Sequence, residues 1–153
     1  MIQRTNPFIA APQLMQQLVA YGATLLTDGL EPSLLRLIAI RASQINGSAS
    51  GLQRYLAEAR GDGETDERLG LLAAWRDTQL YSDRERAALA WTEALTRLPD
   101  TRAPDEDYVP VKAHFSEEEE VRLTLLICVI NSFNRLAVGH RLQPQLTPQR
   151  QAA

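Results

Sequence analysis

The sequence contains a single cysteine, Cys128, among its 153 residues. One cysteine excludes an intrachain disulfide and a metal cluster held by several cysteines. Cys128 lies in the segment LTLLICVINSF, with apolar residues on both sides. This setting predicts a buried thiol that packs as a small apolar group. A displaced reactive thiol is the alternative, and no basic residue nearby in the sequence supports it.

Clustered positive charge and long apolar runs are also lacking. The formal net charge is −3, from 16 basic and 19 acidic residues, and no basic stripe for nucleic acid is present. The longest apolar run, residues 125–130, is far short of a membrane span, and the N-terminal segment lacks the apolar core of a signal peptide. We therefore expect a soluble, cytoplasmic protein with no nucleic-acid or membrane partner.

Strand-type alternation, internal repeats, glycine-rich phosphate loops and zinc-ligand spacings are absent from the sequence. The chain is long enough for one domain with a substantial core and too short to divide comfortably in two. These features predict an all-α fold of about six helices in one domain, residues 1–153, with flexible ends at about 1–11 and 143–153. No metal or cofactor is expected.

Capping residues, glycines and prolines mark where the helices begin and end. Ser82 has Glu85 three residues further on, which is a capping-box pattern. Pro104 and Pro110 predict that residues 101–113 form a charged linker with at most one helical turn. The expected starts are Pro12, Pro32, Ser48, Thr65 or Asp66, Ser82 and Ser116, and the expected stops are Asp28-Gly29, Asn46-Gly47, Gly61-Asp62-Gly63 and Pro99-Asp100.

A helical hairpin over residues 34–60 is the centre of the predicted fold. Asn46-Gly47 tolerates positive φ and ends the first helix, and Ser48 is a suitable N-cap for the second. The backbone amides in the first turn of the second helix, near residues 48–51, have no partners within the helix, and they favour negative charge beside them. The apolar stripe of the first helix consists of Leu34, Ile38, Ala42 and Ile45.

The last helix, residues 121–138, is apolar nearly all round, which predicts burial on more than one side. Asn131, Asn134 and Arg135 interrupt it and are expected to be structural residues with satisfied hydrogen bonds. Ile40 lies on the far side of the 34–45 helix from its main apolar face, and a chain of this length has limited interior to cover it. The excess of apolar surface predicts a homo-oligomer.

The hairpin segment RASQINGSASGLQRY is similar to a sequence of the AhpD-like alkylhydroperoxidase and carboxymuconolactone decarboxylase superfamily. The family sequence reads Arg-Ala-Ser-Gln-Ile-Asn-Gly-Cys-x-x-Cys-x-x-x-His, with a glutamate on the preceding helix. Residues 71–98 and the string Ile-Asn-x-x-Asn-Arg-Leu-Ala-Val at 130–138 also resemble the family. The resemblance implies an AhpD-like helical bundle, peroxiredoxin-type reduction of alkyl hydroperoxides, and assembly as dimers, trimers or hexamers.

The residues that match the catalytic positions of the family cannot perform the thiol oxidation and proton transfer of that family. Ser48 and Gly51 match the two cysteines, Tyr55 matches the histidine and Arg36 matches the glutamate. A serine hydroxyl cannot pass through the thiol oxidation states that peroxide reduction needs, and glycine has no side chain. Tyrosine, with a pKa of about 10, is a poor proton shuttle near neutral pH, and arginine cannot act as a base. We therefore predict a catalytically silent member that keeps the scaffold.

The sequence is also compatible with two enzymatic alternatives. In the first, Ser48 or Tyr55 acts as nucleophile or acid in replaced chemistry, which requires a base near Ser48. The sequence offers none locally, and His114 and His140 are distant in sequence. The second alternative is a residual peroxidase-type activity, which family membership alone would imply.

The replaced site is also a candidate pocket for a small anion such as a carboxylate. The amides at the start of the second helix favour negative charge, and Gly51 lets a ligand approach the backbone. Arg36 would add a planar charged fork and Tyr55 a hydroxyl donor. The alternative is that Arg36 is a surface arginine, because it lies roughly opposite the apolar stripe of its helix.

Overall fold

All regular secondary structure in the computed structural model, which describes residues 2–27 and 29–144, is helical. The all-α prediction is confirmed for this part of the chain. The predicted stop at Asp28 and the C-terminal part of the predicted flexible end, residues 145–153, lie outside the described residues. The α-helices are α1 (Pro7–Ala10), α2 (Pro12–Thr24), α3 (Pro32–Asn46), α4 (Ala49–Gly61), α5 (Asp66–Leu71), α6 (Asp83–Thr96), α7 (Leu98–Thr101), α8 (Asp105–His114) and α9 (Glu117–Gly139), and a 3₁₀ helix, Leu72–Asp77, follows α5.

The predicted helix starts are confirmed: α2 and α3 begin at Pro12 and Pro32, and the other four helices begin at side-chain caps. The Ser48 and Thr65 hydroxyls accept hydrogen bonds from backbone amides in the first turns of α4 and α5. Ser82 and Ser116 each form a complete capping box with a glutamate three residues on, which satisfies two amides at once. Gly47 ends α3 at φ 63°, a left-handed conformation that glycine adopts at little cost.

Helix α3 lies at the centre of the fold and packs against α4, α6 and α9. Leu34, Ile38 and Ala42 are buried as predicted, whereas Ile45 is only partly buried. The α3–α4 hairpin is therefore the central unit that the sequence predicts. The main apolar core joins the α3 stripe to Ala88, Trp91, Val111, Phe115, Leu123 and Ile127.

A second apolar cluster covers the opposite side of α3. Ile40 is 0% exposed there, beneath α5 and the 3₁₀ helix. The inference that Ile40 needs a partner subunit to cover it is wrong, because the segment after α4 folds back over it. The other buried members of this cluster are Leu37, Ala59, Leu69, Leu72, Trp75, Tyr81, Leu89 and Ala90.

A buried carboxylate joins this cluster to α6. Glu93 accepts hydrogen bonds from Trp75 Nε1 at 2.8 Å and Arg41 Nε at 2.7 Å, and it also pairs with Arg76. Burial alone would raise the pKa of this carboxyl, but the hydrogen bonds from Trp75, Arg76 and Arg41 outweigh it and hold the pKa below its usual value. Glu93 is therefore charged and paired at neutral pH, and it ties α3, the 3₁₀ helix and α6 together.

Two segments are more ordered than the sequence predicts. Residues 7–10 of the predicted arm form α1, capped by Asn6, and Arg4 donates to the Gly139 carbonyl. The prediction of a linker over residues 101–113 is wrong, because α8 occupies most of it with Pro110 inside. Tertiary packing outweighs the proline there. The packed residues are Val111, which is buried, and Tyr108, whose hydroxyl donates to Glu120 at 2.6 Å and whose ring lies against Trp91.

Helix α9 has an exposed apolar stripe on the side opposite to its buried residues. Val121 and Leu125 are 56% and 37% exposed, and Cys128 is also exposed. The prediction of a buried Cys128 is wrong, because residues four and seven positions after Val121 share its outward face.

By length and composition α9 resembles a membrane-spanning helix, the one such helix in the part of the chain that the structure describes. Four glutamates occupy its first turn, where they favour the positive end of the helix dipole. Its residues Leu123, Ile127 and Ile130 are buried in the main core. This side of α9 therefore packs inside the fold.

Candidate functional site

The turn between α3 and α4 brings the Ser48 side chain against the backbone of Gly51. Ser48 caps α4, and its hydroxyl accepts a hydrogen bond from the Gly51 amide at 3.3 Å. The same oxygen lies 2.9 Å from the point where a Cβ at residue 51 would stand. The two positions that match the family's cysteines are therefore adjacent, as a pair of reacting groups has to be.

Gly51 is enclosed by oxygen atoms from two other helices. A Cβ at this position would lie 2.8 Å from Ser43 Oγ on α3 and 2.8 Å from Asn134 Oδ1 on α9, in addition to the contact with Ser48. Carbon atoms do not approach oxygen this closely without displacing it. The space that a second cysteine would need is therefore already filled.

A belt of polar side chains runs through the core behind this turn. Asn131 is fully satisfied as predicted: its amide donates to Thr96 Oγ1 at 3.0 Å and to the Ile127 carbonyl, and its oxygen accepts from Asn46 at 2.9 Å. Asn134 differs. Its Oδ1 accepts from Ser43 at 3.2 Å, but its Nδ2 is buried and has no partner among the described residues. The prediction that Asn134 is satisfied is wrong for this one atom.

A groove of about 730 Å³ opens at the start of α4. Ser48, Gly51 and Asn134 line it, and Tyr55 lines it one turn further along α4. The other polar lining residues are Ser50, Gln53, Arg54, Glu58 and Gln143. This volume suits a small organic molecule, and apolar walls with few polar groups are typical of ligand sites. The apolar walls come from α1, α4, α9 and the segment after α9, and they comprise Phe8, Ala57, Phe133, Leu136, Ala137, Leu142 and Pro144.

Tyr55 and Phe133 separate this groove from a smaller cavity beneath α2. The cavity has a volume of about 100 Å³ and apolar walls, apart from Arg36, Arg54 and Tyr55. Burial raises the pKa of Tyr55 above its ordinary value. Its phenol is therefore protonated at neutral pH, so it can donate a hydrogen bond but cannot serve as a base.

Arg36 does not line the groove. Its guanidinium binds Glu58 at 2.6 Å and Asp62 at 2.8 Å, near the far end of α4 from Ser48. The antiparallel hairpin causes this placement, because a residue early in α3 lies opposite a residue late in α4. The structure thus brings together Ser48, Gly51 and Tyr55 of the four predicted positions, and it places Arg36 on the other side of Tyr55.

In the part of the chain that the structure describes, no group beside Ser48 could activate it as a nucleophile. Among the described residues, its hydroxyl has one hydrogen bond, from the Gly51 amide. The one carboxylate in the groove lining, Glu58, is bound by Arg36 and by Arg54 at 2.8 Å. A serine without an adjacent base is not activated.

Two residues of the site were missed by sequence reasoning. Ser43 lies within the family-like segment but matches no catalytic position, and Asn134 was interpreted as structural. The available signal was that Asn131 and Asn134 stand on one side of an otherwise apolar helix, three residues apart, so that both face the same buried region.

The fold and the sequence both match known proteins. The model of the carboxymuconolactone decarboxylase family matches residues 12–94. YdfG of Bacillus subtilis (strain 168), an uncharacterized protein, is 37% identical over 139 residues, which cover 91% of this chain and 95% of YdfG.

Solved structures agree with this relationship. ATU0492 of Agrobacterium tumefaciens, a protein of unknown function considered a candidate antioxidant defence protein AhpD, superimposes with a TM-score of 0.91 at 37% identity, over 95% of this chain and 100% of that one. A variant of the debrominase Bmp8 in complex with 2,3,4-tribromopyrrole shares the fold, with a TM-score of 0.80 at 18% identity over 88% of this chain and 72% of that one. With more than half of its length matched by the family model, the chain belongs to the carboxymuconolactone decarboxylase family.

Proposed function

We propose that this protein is a catalytically silent family member that binds a small molecule in the groove at the start of α4 and performs no thiol chemistry. The observation that supports the proposal most strongly is the packing at Gly51. Three oxygen atoms lie 2.8 to 2.9 Å from the position of a Cβ there, so the site is built around the absence of a side chain. A cysteine pair and this packing exclude each other.

The one thiol of the chain gives no substitute for the missing pair. Cys128 is exposed on α9 and does not line the groove. A two-thiol cycle also needs a second sulfur to resolve the oxidised first one, and the chain has none. The cytoplasmic location expected from the sequence belongs to this proposal as well.

The groove favours an uncharged ligand over the carboxylate that the sequence suggested. Arg36, the expected cationic partner, does not line the groove and is bound to the carboxylates of Glu58 and Asp62. Arg54 lines the groove but pairs with Glu58, which also lines it, so the two charges compensate. A neutral molecule avoids the cost of desolvating a charge without a free counterion.

The purified protein is expected to show no thiol-dependent reduction of an alkyl hydroperoxide. Cumene hydroperoxide consumption in the presence of dithiothreitol should equal that of buffer, and Cys128→Ser should not change it, because neither Ser48 nor Gly51 can react. The assay follows loss of peroxide over time. Turnover that disappears in Cys128→Ser would contradict the proposal.

The protein is also expected to assemble as a homo-oligomer, and we propose the exposed α9 stripe as part of the contact. Val121 and Leu125 are apolar and exposed there, and Leu14 and Val19 of α2 are further exposed apolar residues. Light scattering at micromolar concentration should give a multiple of 17.1 kDa. Leu125→Glu should lower that mass, because a charge in an apolar contact is costly. A monomeric wild type would refute the proposal.

A further inference from the structure

We propose that Asn134 Nδ2 is the recognition donor of the groove, and that the ligand is an uncharged, largely apolar molecule that presents one acceptor oxygen to it. This inference rests on the proposed function and deepens it, because it names the chemical class of the ligand and the atom that selects it.

The first observation is the unmade hydrogen bond. Asn134 is 2% exposed, and its Nδ2 is the one buried side-chain nitrogen or oxygen without a partner in the described part of the chain. Buried polar groups are nearly always paired, so an orphaned donor requires an explanation. Asn131, one turn earlier on the same helix, has every polar atom paired, which shows that α9 can satisfy an asparagine where no ligand is involved.

The second observation is the location of this amide. Asn134 lines the groove together with Gly51 and Ser48, at the end where α4 begins. The bond from Ser43 to Oδ1 at 3.2 Å fixes the amide plane and leaves the Nδ2 end free. A fixed donor at the polar end of a concave site is the arrangement that orients a bound molecule.

The third observation is the chemistry of the walls. Phe8 and Phe133 provide aromatic surface, and Leu136, Leu142 and Pro144 provide aliphatic surface. The two charged residues of the lining, Arg54 and Glu58, neutralise each other. An apolar body with one carbonyl-type oxygen therefore matches both the walls and the donor, and a pure hydrocarbon would leave the donor unpaired.

The test compares two probes of nearly equal shape, 1-indanone, which carries a carbonyl oxygen, and indane, which lacks it. Each is titrated into the isotope-labelled protein at matched concentrations and followed by the amide resonances of the groove. We expect 1-indanone to bind about tenfold more tightly than indane, because one hydrogen bond to a desolvated donor provides a gain in affinity of about this size. We also expect the side-chain amide resonances of Asn134 to shift with 1-indanone and not with indane.

Asn134→Leu should reduce the ratio of the two affinities to about one, whereas Ser132→Ala, exposed on the same helix, should preserve it. If Asn134→Leu does not fold, the Asn134 side-chain resonances of the wild type decide the question. Equal binding of the two probes, or an unshifted Asn134 amide, would overturn this inference and leave the proposed function standing. No shift of any groove resonance with either probe would overturn both.

Discussion

Replacing Glu93 with glutamine is expected to lower the free energy of unfolding by about 3 kcal/mol, because removal of one partner from a buried ion pair leaves the other charge uncompensated. Arg41 and Arg76 both bind this carboxylate, and Trp75 donates to it. Glutamine keeps one acceptor oxygen but turns an amide group toward a guanidinium. Chemical denaturation measured by circular dichroism gives the difference.

The matched control is Glu118→Gln, which makes the same chemical change at an exposed site. Glu118 pairs with Arg122 within α9 at 3.1 Å, and its side chain is 78% exposed. Exposed pairs of this spacing contribute about 0.3 to 0.5 kcal/mol. If the free energy of unfolding fell by a similar amount in the two variants, the Glu93 pairing would have no special stabilising role.

The Glu93 pairing also predicts a pH dependence. The pKa of Glu93 in the folded protein is lowered from the usual 4.5. Its contribution to the free energy of unfolding is therefore fully present above pH 4.5 and is lost as the pH falls through the folded pKa. The difference in melting temperature between wild type and Glu93→Gln should therefore be constant near neutral pH and shrink below about pH 4.5. A difference that grows on acidification would mean that the carboxyl is not held in its charged form.

Replacing Gly51 with alanine is expected to lower the free energy of unfolding by about 2 kcal/mol, because overpacking of a closed site usually costs 1 to 3 kcal/mol. The new methyl group would stand 2.8 Å from Ser43 Oγ and 2.8 Å from Asn134 Oδ1, which belong to two different helices. The higher helix propensity of alanine, worth about 1 kcal/mol, reduces the loss without cancelling it. Thermal unfolding monitored by circular dichroism measures the result.

Gly61→Ala, in the last turn of the same helix, provides the control. No atom lies within 4 Å of the Cβ that alanine would add there, so this variant should be neutral or slightly stabilised. If Gly51→Ala were as stable as Gly61→Ala, the oxygen atoms around position 51 would have to move freely, and the proposal that this site is built around a missing side chain would fail.

Sequence reasoning recovered the parts of the fold that local signals determine. Ser82 and Ser116 begin helices because a capping box acts within four residues, and Gly47 ends α3 because its positive φ is a local property. Helix α8 was missed because Pro110 opposes it locally, while Val111 and Tyr108 stabilise it through contacts with distant helices. Cys128 was misplaced because an apolar run does not show which face of α9 points outward.

In the candidate site, too, sequence reasoning found the residues that lie in one continuous segment and missed those that distant contacts bring together. Ser48, Gly51 and Tyr55 were found through the resemblance of a continuous segment, and the structure places all three at one groove. Asn134 was not found because its contact with Ser43 spans 91 positions in the sequence. Arg36 matches the family by position, yet its partners, Glu58 and Asp62, are set by the antiparallel course of the hairpin.

The oxygen atoms around Gly51 also limit how the sequence can change over generations. A mutation that adds a side chain at position 51 meets Ser43 and Asn134, which stand on other helices, so its cost depends on how far those two side chains can move. The residue that position 51 tolerates is therefore coupled to the residues at positions 43 and 134, although the three are far apart in the sequence.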